Sequence, residues 1–350
     1  MLNELNDDNK KQDIRAVGLV SGGLDSVLAA KALIDQGIKV IGVHFITPFN
    51  VTPWEKESSG NIIEEQAAEI GFQYYPCYLG REYIELIKNP RWGHGSQINP
   101  CIDCHIYFLR KAKEIMEDEG AQFVFTGEVT GQRPMSQNRP TLRMIEKRSG
   151  LEGYLLRPLC AKKLEPTIPE DLGWVNRERL LDIHGRGRKI QLALAEQYGI
   201  KNYETPAGGC QLTDPEFSHR LRELFDHDTD DIENIRLLKV GRHFRLGPKT
   251  KLIVGRSEKD NRVMADMALD QDVLFEAEGG GSPLSILRGD FDESMIRTAA
   301  AITRRYSRAR NHSEIPVRVR RSGSDQIDRI VPEIPDEEEV RSRLIRRPRS

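Results

Sequence analysis

No run of apolar residues in this chain is long enough to cross a bilayer, and its opening, MLNELNDDNKKQD, lacks the apolar core of a secretory leader. An excess of one charge is also missing: 52 Lys and Arg stand against 54 Asp and Glu, a formal net charge of -2, so the total points to no polyanionic partner. Cysteine is scarce and odd in number, five in 350 residues, which argues against a disulfide scaffold. These absences lead us to expect a cytoplasmic location and no membrane partner. The 38% apolar fraction and the length allow two or three domains.

What is there begins with AVGLVSGGLDSVLAAKALIDQGIKVIGVHF, residues 16–45. The apolar run 16–20 predicts a buried strand, 27–34 has helical spacing ended by Gly37, and 40–45 predicts a second strand. A strand, a glycine turn, a helix and a parallel strand put the turn at the carboxyl edge of an open sheet, where ligands bind. Gly22 and Gly23 permit close backbone approach, and the amides opening the helix favour an anion. Ser21 and Ser26 add hydroxyls, and Asp25 adds a carboxylate suited to a magnesium ion. SGGLDS is neither the lysine-bearing P-loop nor the dinucleotide GxGxxG. It resembles the pyrophosphatase loop of the adenine-nucleotide alpha-hydrolase-like (PP-loop) superfamily, whose members split ATP into AMP and pyrophosphate.

Further strands are expected at 72–79 and 121–131, each after a helical segment, with a last strand at 154–160. The expected fold is α/β, a doubly wound parallel sheet of the Rossmann-like PP-loop kind, followed by a small C-terminal α+β domain. The expected division is a tail over 1–13, a catalytic domain over 14–215, the small domain over 216–310, and a charged, disordered tail over 311–350. In the small domain, HFRLG, TKLIVGR and DVLFEAEG read as short strands and DESMIRTAAAITRRYSRAR as a helix.

The cysteines form a second constellation. NPCIDCH sets Cys101 and Cys104 in a CxxC at a helix start, and Cys210 follows in AGGCQLTD. Two soft thiols on one turn, joined by a third, suit an iron–sulfur cluster with one open iron or a zinc site, and spacing leaves both open, with His105 as a further zinc ligand. Cys77 and Cys160 lie in apolar strands and read as inert.

AQFVFTGEVTGQRPMSQNRPTLRMIE resembles the signature segment of tRNA 4-thiouridine synthetases, here Thr126, Gly127, Glu128, Gly131, Gln132, Ser136 and Gln137. With SGGLDS upstream and LLRPLCAKKLEP downstream, the motifs keep their order over residues 14 to about 215. NPCIDC resembles the NPC..C motif of the related 2-thiouridine-forming enzymes, and TPAGGCQLT aligns Cys210 with a sulfur-handling cysteine. The resemblance implies an ATP-dependent tRNA sulfurtransferase. A uridine carbonyl oxygen would attack the α-phosphate of ATP, and sulfur would then displace AMP. The implied nucleotide-binding residues are Ser21, Gly22, Gly23, Asp25, Ser26, Thr126, Gly127 and Gln132, and the implied catalytic residues are Asp25, Cys104 and Cys210. Cys101, Cys104 and Cys210 would hold a [4Fe-4S] cluster, with zinc as the alternative and a metal-free Cys104–Cys210 persulfide exchange as another.

Two departures from that family bear on mechanism. Only about fifteen residues precede the first strand, so the usual amino-terminal tRNA-binding modules are expected to be missing, and no rhodanese-like domain is expected to follow. KVGRHFRLGPKTKLIVGRSEKDNRVM resembles an NFACT-type RNA-binding domain, in which Arg242, Arg245, Lys249, Lys251, Arg256 and Lys259 could track a phosphate backbone. The arginines of RRYSRAR, VRVRR and RSRLIRRPRS also suit phosphates. The expected partners are tRNA and a sulfur donor, either a cysteine desulfurase or free sulfide. Competing readings are a PP-loop amide-forming ligase or amidotransferase with structural zinc, and a non-catalytic RNA-binding protein.

Overall fold

A computed structural model describes residues 13–49, 53–203, 210–308 and 314–347. The chain divides into two compact units, one over 1–47 and 55–209 and one over 48–54 and 210–350.

The first unit alternates strands and helices: β1 (Arg15–Leu19), α1 (Leu24–Ile34), β2 (Lys39–Ile46), α2 (Pro53–Ile70), β3 (Gln73–Tyr78), α3 (Arg81–Lys88), α4 (Cys101–Asp118), β4 (Phe123–Thr126), α5 (Arg139–Ser149), β5 (Leu155–Leu156), α6 (Ile168–Asp171) and α7 (Lys189–Tyr198). Its five strands form one parallel sheet in the order β3-β2-β1-β4-β5. The chain winds outward from β1 through β2 to β3, then returns to place β4 on the other side of β1. That reversal leaves a crevice beyond the carboxyl ends of β1 and β4, the place where open α/β sheets bind ligands.

Both faces of this sheet are covered, which is why its strands read as continuous apolar runs. Ala16, Val20, Val40, Phe123 and Phe125 pack with Leu24, Leu28 and Leu33 of α1 on one side. Val17, Ile41, Val43 and Val124 pack with Ile106, Leu109 and Ile115 of α4 on the other. At about 25 cal/mol per Å² of buried apolar surface, such layers supply most of the drive to fold. The expected strand over 154–160 is only two residues long; the segment leaves the sheet at Arg157, which meets the buried Glu128 and the partly buried Glu146.

The second unit contains α8 (Pro215–Asp226), α9 (Ile232–Leu237), β6 (Arg242–Gly247), β7 (Thr250–Val254), α10 (Glu258–Asp266), β8 (Val273–Ala277), β9 (Ser285–Arg288), α11 (Glu293–Arg305), β10 (Val317–Arg321), β11 (Asp328–Ile330) and α12 (Glu337–Arg343). Its six strands form an antiparallel sheet in the order β11-β10-β8-β9-β7-β6. Phe244, Leu252, Phe275 and Val317 pack against Ala299, Ala300 and Ile302 of α11.

Residues 314–347, which composition marks as disordered, instead contribute two strands, β10 and β11, to this sheet and the helix α12. Val317 and Val319 alternate with arginines, so one face of β10 is buried although the stretch is strongly charged. Val340 of α12 is buried in the same cluster. The PAGG turn expected before Cys210 lies outside the described residues.

Candidate active site at the carboxyl edge of the parallel sheet

The turn after β1 owes its shape to glycine. Gly22 has φ +76°, a conformation that costs a side chain energy, and Gly23 caps α1 from an extended conformation. Ser26 locks the turn from within: its Oγ accepts the Ser21 N–H at 3.2 Å and donates to the Gly23 carbonyl at 2.8 Å. The hydroxyl expected to serve a phosphate therefore shapes the cradle, while the exposed Ser21 and the first amides of α1, which have no partner inside the helix, face the crevice.

A residue that sequence reading missed secures the loop from below. Gln66 of α2 is fully buried and donates its Nε2 to the carbonyls of Gly22, at 3.0 Å, and Asn202, at 2.7 Å. One polar residue inside an amphipathic helix carries no motif, so nothing in the sequence marks it.

The segment after β4 supplies the other wall. A Cβ on Gly127 would lie 2.6 Å from the backbone of Asp25 and Ser26, so the TGE turn touches the first turn of α1 and only glycine fits there. Gln132 reaches across and donates its Nε2 to Asp25 Oδ2 at 2.9 Å. The second carboxylate oxygen, Oδ1, is buried and makes no hydrogen bond among the described residues. A buried acceptor without a partner is costly, so this oxygen fits a bound cation. Thr126 turns away from the crevice, donating to Glu128 Oε2 at 3.0 Å.

Glu128 is the hub of a buried ionic network. Its carboxylate meets Arg157 Nε at 3.0 Å and His105 Nδ1 at 2.9 Å, and Arg157 Nη1 continues to Glu146 at 3.0 Å. Burial pushes the Glu128 carboxyl up, but the charges of Arg157 and His105 outweigh it and bring it down to about 2. His105 follows Cys104 directly, so this ion pair joins the cysteine-bearing helix to the turn that packs on Asp25. It also turns the His105 Nδ1 toward a carboxylate rather than toward the thiols.

Cys101 and Cys104 occupy the first turn of α4, three residues apart and therefore on one side of the helix. Asn99 Nδ2 donates to Cys101 Sγ at 3.2 Å, and Cys104 Sγ lies buried 3.2 Å from the Tyr83 hydroxyl. Asp103 fixes the approach to this turn by accepting the N–H groups of Arg91 and Trp92. Cys210 is exposed and belongs to the second unit, where it caps a short turn over Gln211–Thr213. Among the described residues, no three His, Cys, Asp or Glu side chains group as a metal site. Cys160 is buried and donates to the Glu128 carbonyl at 3.3 Å, and burial pushes its thiol up, as an inert core thiol should behave.

In the second unit, most of the basic residues expected to track phosphates have partners within the unit: Arg245 and Lys251 are largely buried, whereas Lys249 and Arg256 are exposed. Arg245 and Lys251 both pair with Glu223, Arg256 pairs with Asp260, Lys249 donates to the His227 carbonyl, and Arg242 lies over the Tyr306 ring. Lys251 is so deeply buried that its ammonium comes down to about 8 despite Glu223.

Comparison with known proteins fits this arrangement. The family model of the thiamine biosynthesis protein ThiI matches residues 12–168, and that of the NFACT protein RNA binding domain matches residues 241–342. The chain is 24% identical over 287 residues to the tRNA-specific 2-thiouridylase MnmA of Listeria monocytogenes serotype 4a (strain HCC23), covering 75% of this chain and 74% of that protein. It is 28% identical over 207 residues to MnmA of Karelsulcia muelleri (strain GWSS), covering 55% of this chain and 51% of that one. A solved 4-thiouridine synthetase in complex with RNA and bound ATP aligns at 21% identity with a TM-score of 0.40, over 63% of this chain. The alignment spans about half (52%) of that structure's chain.

Proposed function

We propose that this chain is an ATP-dependent tRNA sulfurtransferase that adenylates a uridine carbonyl oxygen and replaces that oxygen by sulfur. The observation that carries the reading is the Asp25 carboxylate. It is held by Gln132 at one oxygen; the other is buried, makes no hydrogen bond among the described residues, and lies beside a glycine turn at the switch point of a parallel sheet. In that setting an unpaired carboxylate oxygen fits a bound cation.

The triphosphate tail of ATP fits the turn between β1 and α1, where the helix amides and the Ser21 hydroxyl offer donors to phosphate oxygens. Asp25 Oδ1 would hold a magnesium ion, whose charge would offset that of the departing pyrophosphate. Gly127 allows the β4 turn to close against α1, fixing the distance between the cradle and the groups after β4. The uridine oxygen attacks the α-phosphorus, the bond to the β-phosphate oxygen breaks, and pyrophosphate leaves with both electrons. A carbonyl oxygen is a poor leaving group; once esterified to AMP it departs readily. Hydrosulfide adds at the same carbon; AMP leaves with the former carbonyl oxygen and the sulfur sheds its proton.

The thiols are assigned to sulfur handling, with Cys104 and Cys210 as the catalytic pair. In the finer form of this reading, Cys101, Cys104 and Cys210 hold a [4Fe-4S] cluster; zinc and metal-free persulfide exchange are the alternatives. Among the described residues no three such side chains group together. Determination of iron, zinc and acid-labile sulfide in anaerobically purified full-length protein separates the three.

Thionucleoside profiling of tRNA from a deletion strain tests the assignment. One thiouridine species should vanish and return with the wild-type gene, but not with Asp25→Ala. Unchanged thionucleosides would remove tRNA thiolation as the function.

A further inference from the structure

Two arginines of VRVRR, a stretch that suits phosphates by composition alone, line one face of the sheet in the second unit. Strand alternation fixes it: Val317 and Val319 of β10 are buried in the core beneath α11, so Arg318 and Arg320 project to the opposite side. In β8, Phe275 and Ala277 share that core and Glu276 faces the other way. Arg329 of β11 stands directly across from Arg318. Over β7 to β9 this opposite face is roofed, since Ile253, Leu274 and Ile286 pack with Val263 and Met264 of α10. Over β10 and β11 it is open to solvent: Arg318, Arg320 and Arg329 are all exposed.

These guanidiniums are available in a way that the internally paired Arg245 and Lys251 are not. Arg320 makes no ion pair or hydrogen bond among the described residues. Arg318 meets Glu276 at 3.3 Å and Arg329 meets Glu278 at 2.9 Å, but both are exposed pairs. Such exposed pairs contribute little, so either arginine can exchange its carboxylate for a phosphate. A shallow hollow of about 30 Å³ lies between Leu274, Glu276, Arg318, Arg320 and Ile327. Ile327 is 46% exposed beside it, an apolar contact for a ribose or base.

The geometry points to this face as a docking surface for the sugar-phosphate backbone of the RNA substrate. Arg318 and Arg320, two residues apart on one strand, sit about 7 Å from each other along it, and Arg329 extends the row onto the neighbouring strand. Charge complementarity selects the occupant: three forked cations on an extended, nearly flat surface suit a run of phosphates, each of which can take two parallel N–H bonds from an arginine. This inference rests on the reading that the chain acts on tRNA, and it assigns substrate capture to a face outside the catalytic unit.

The test is the full-length double variant R318E/R320E, with R318Q/R320Q as a milder partner. Both sites are exposed, so unfolding temperature should stay at the wild-type value. Binding of unmodified tRNA is measured by fluorescence anisotropy at several salt concentrations. The expected result is at least about tenfold weaker binding by the glutamate variant and a salt slope lower by roughly 1.5, as two lost phosphate contacts require. ATP hydrolysis without tRNA should not change. Wild-type affinity and slope in both variants overturn the inference; so does wild-type tRNA binding accompanied by lost binding of a polyglutamate peptide, which assigns the face to an acidic protein. A wild-type protein that binds tRNA through this face yet forms no thiouridine keeps the inference and sinks the proposed function. Thiolation with unaltered variant affinity does the reverse.

Discussion

Gln132 Nε2 lies 2.9 Å from Asp25 Oδ2, so the loop after β4 holds the carboxylate that opens α1, across 107 positions of sequence. This single bond fixes the carboxylate and leaves Oδ1 without a hydrogen bond among the described residues. Gln132→Ala should therefore lower tRNA-dependent pyrophosphate release by about tenfold, the equivalent of one hydrogen bond to a charged group. Asp25→Ala should abolish it while leaving tRNA affinity within twofold of wild type. Steady-state pyrophosphate assays and tRNA titrations read both; equal rates for Gln132→Ala and wild type would take this bond out of the mechanism.

Gly127→Ala would put a methyl group 2.6 Å from the Asp25 and Ser26 backbone. No flexible side chain can yield there, so the β4 turn must lift from α1. The expected cost is about 2 kcal/mol in urea unfolding together with a rise in the Km for ATP. Gly23→Ala is the control for stability alone, since its Cβ would meet only the Ser21 hydroxyl at 3.4 Å; it lies in the proposed nucleotide cradle, so the Km comparison does not use it.

Glu128 links the stability of the first unit to pH. Its carboxyl lies near 2 when folded and near 4.5 when unfolded, a depressed folded value. Its contribution is thus complete above about 4.5 and is lost as pH falls toward about 2. Glu128→Gln should cost about 3 kcal/mol at pH 7, because Arg157 loses a buried partner. The gap between variant and wild type in chemical denaturation should close below pH 4.5, and a gap independent of pH would contradict the ion-pair account.

Substitution of the thiols should separate the two half-reactions. Cys104→Ser and Cys210→Ser should each lower thiouridine formation at least a hundredfold while tRNA-stimulated ATP–pyrophosphate exchange persists. Cys160→Ser, by contrast, should alter stability only, because its Sγ is buried against the Glu128 carbonyl. Full thiolation by Cys210→Ser would exclude that residue from sulfur transfer.

The parts of this architecture that the sequence reveals are those built from local signals. Gly22, Gly23 and the apolar runs around them announce the β1–α1–β2 unit, and Thr126–Gly127 marks the end of β4. What escaped depends on contacts far apart in the chain. Gln66 looks like any polar residue of an amphipathic helix until its two carbonyl partners are seen. Arg157 sits in an apolar string that reads as a strand, yet the carboxylates of buried Glu128 and partly buried Glu146 draw it out of the sheet. Ser26 was read as a phosphate donor, but its one proton goes to Gly23. In β10 the density of arginine hides a two-residue alternation, and composition outweighs pattern until Val317 and Val319 are found in the core.

The central claim is that the cradle around Asp25 activates a tRNA base by adenylation. Reaction of ATP labelled at the α-phosphate with unmodified tRNA, without any sulfur source, tests it most directly. The account predicts AMP bound to tRNA through a uridine oxygen, accumulating with wild-type protein and with Cys210→Ser but absent with Asp25→Ala. Pyrophosphate released at the same rate with and without tRNA, with no label on the RNA, would contradict it.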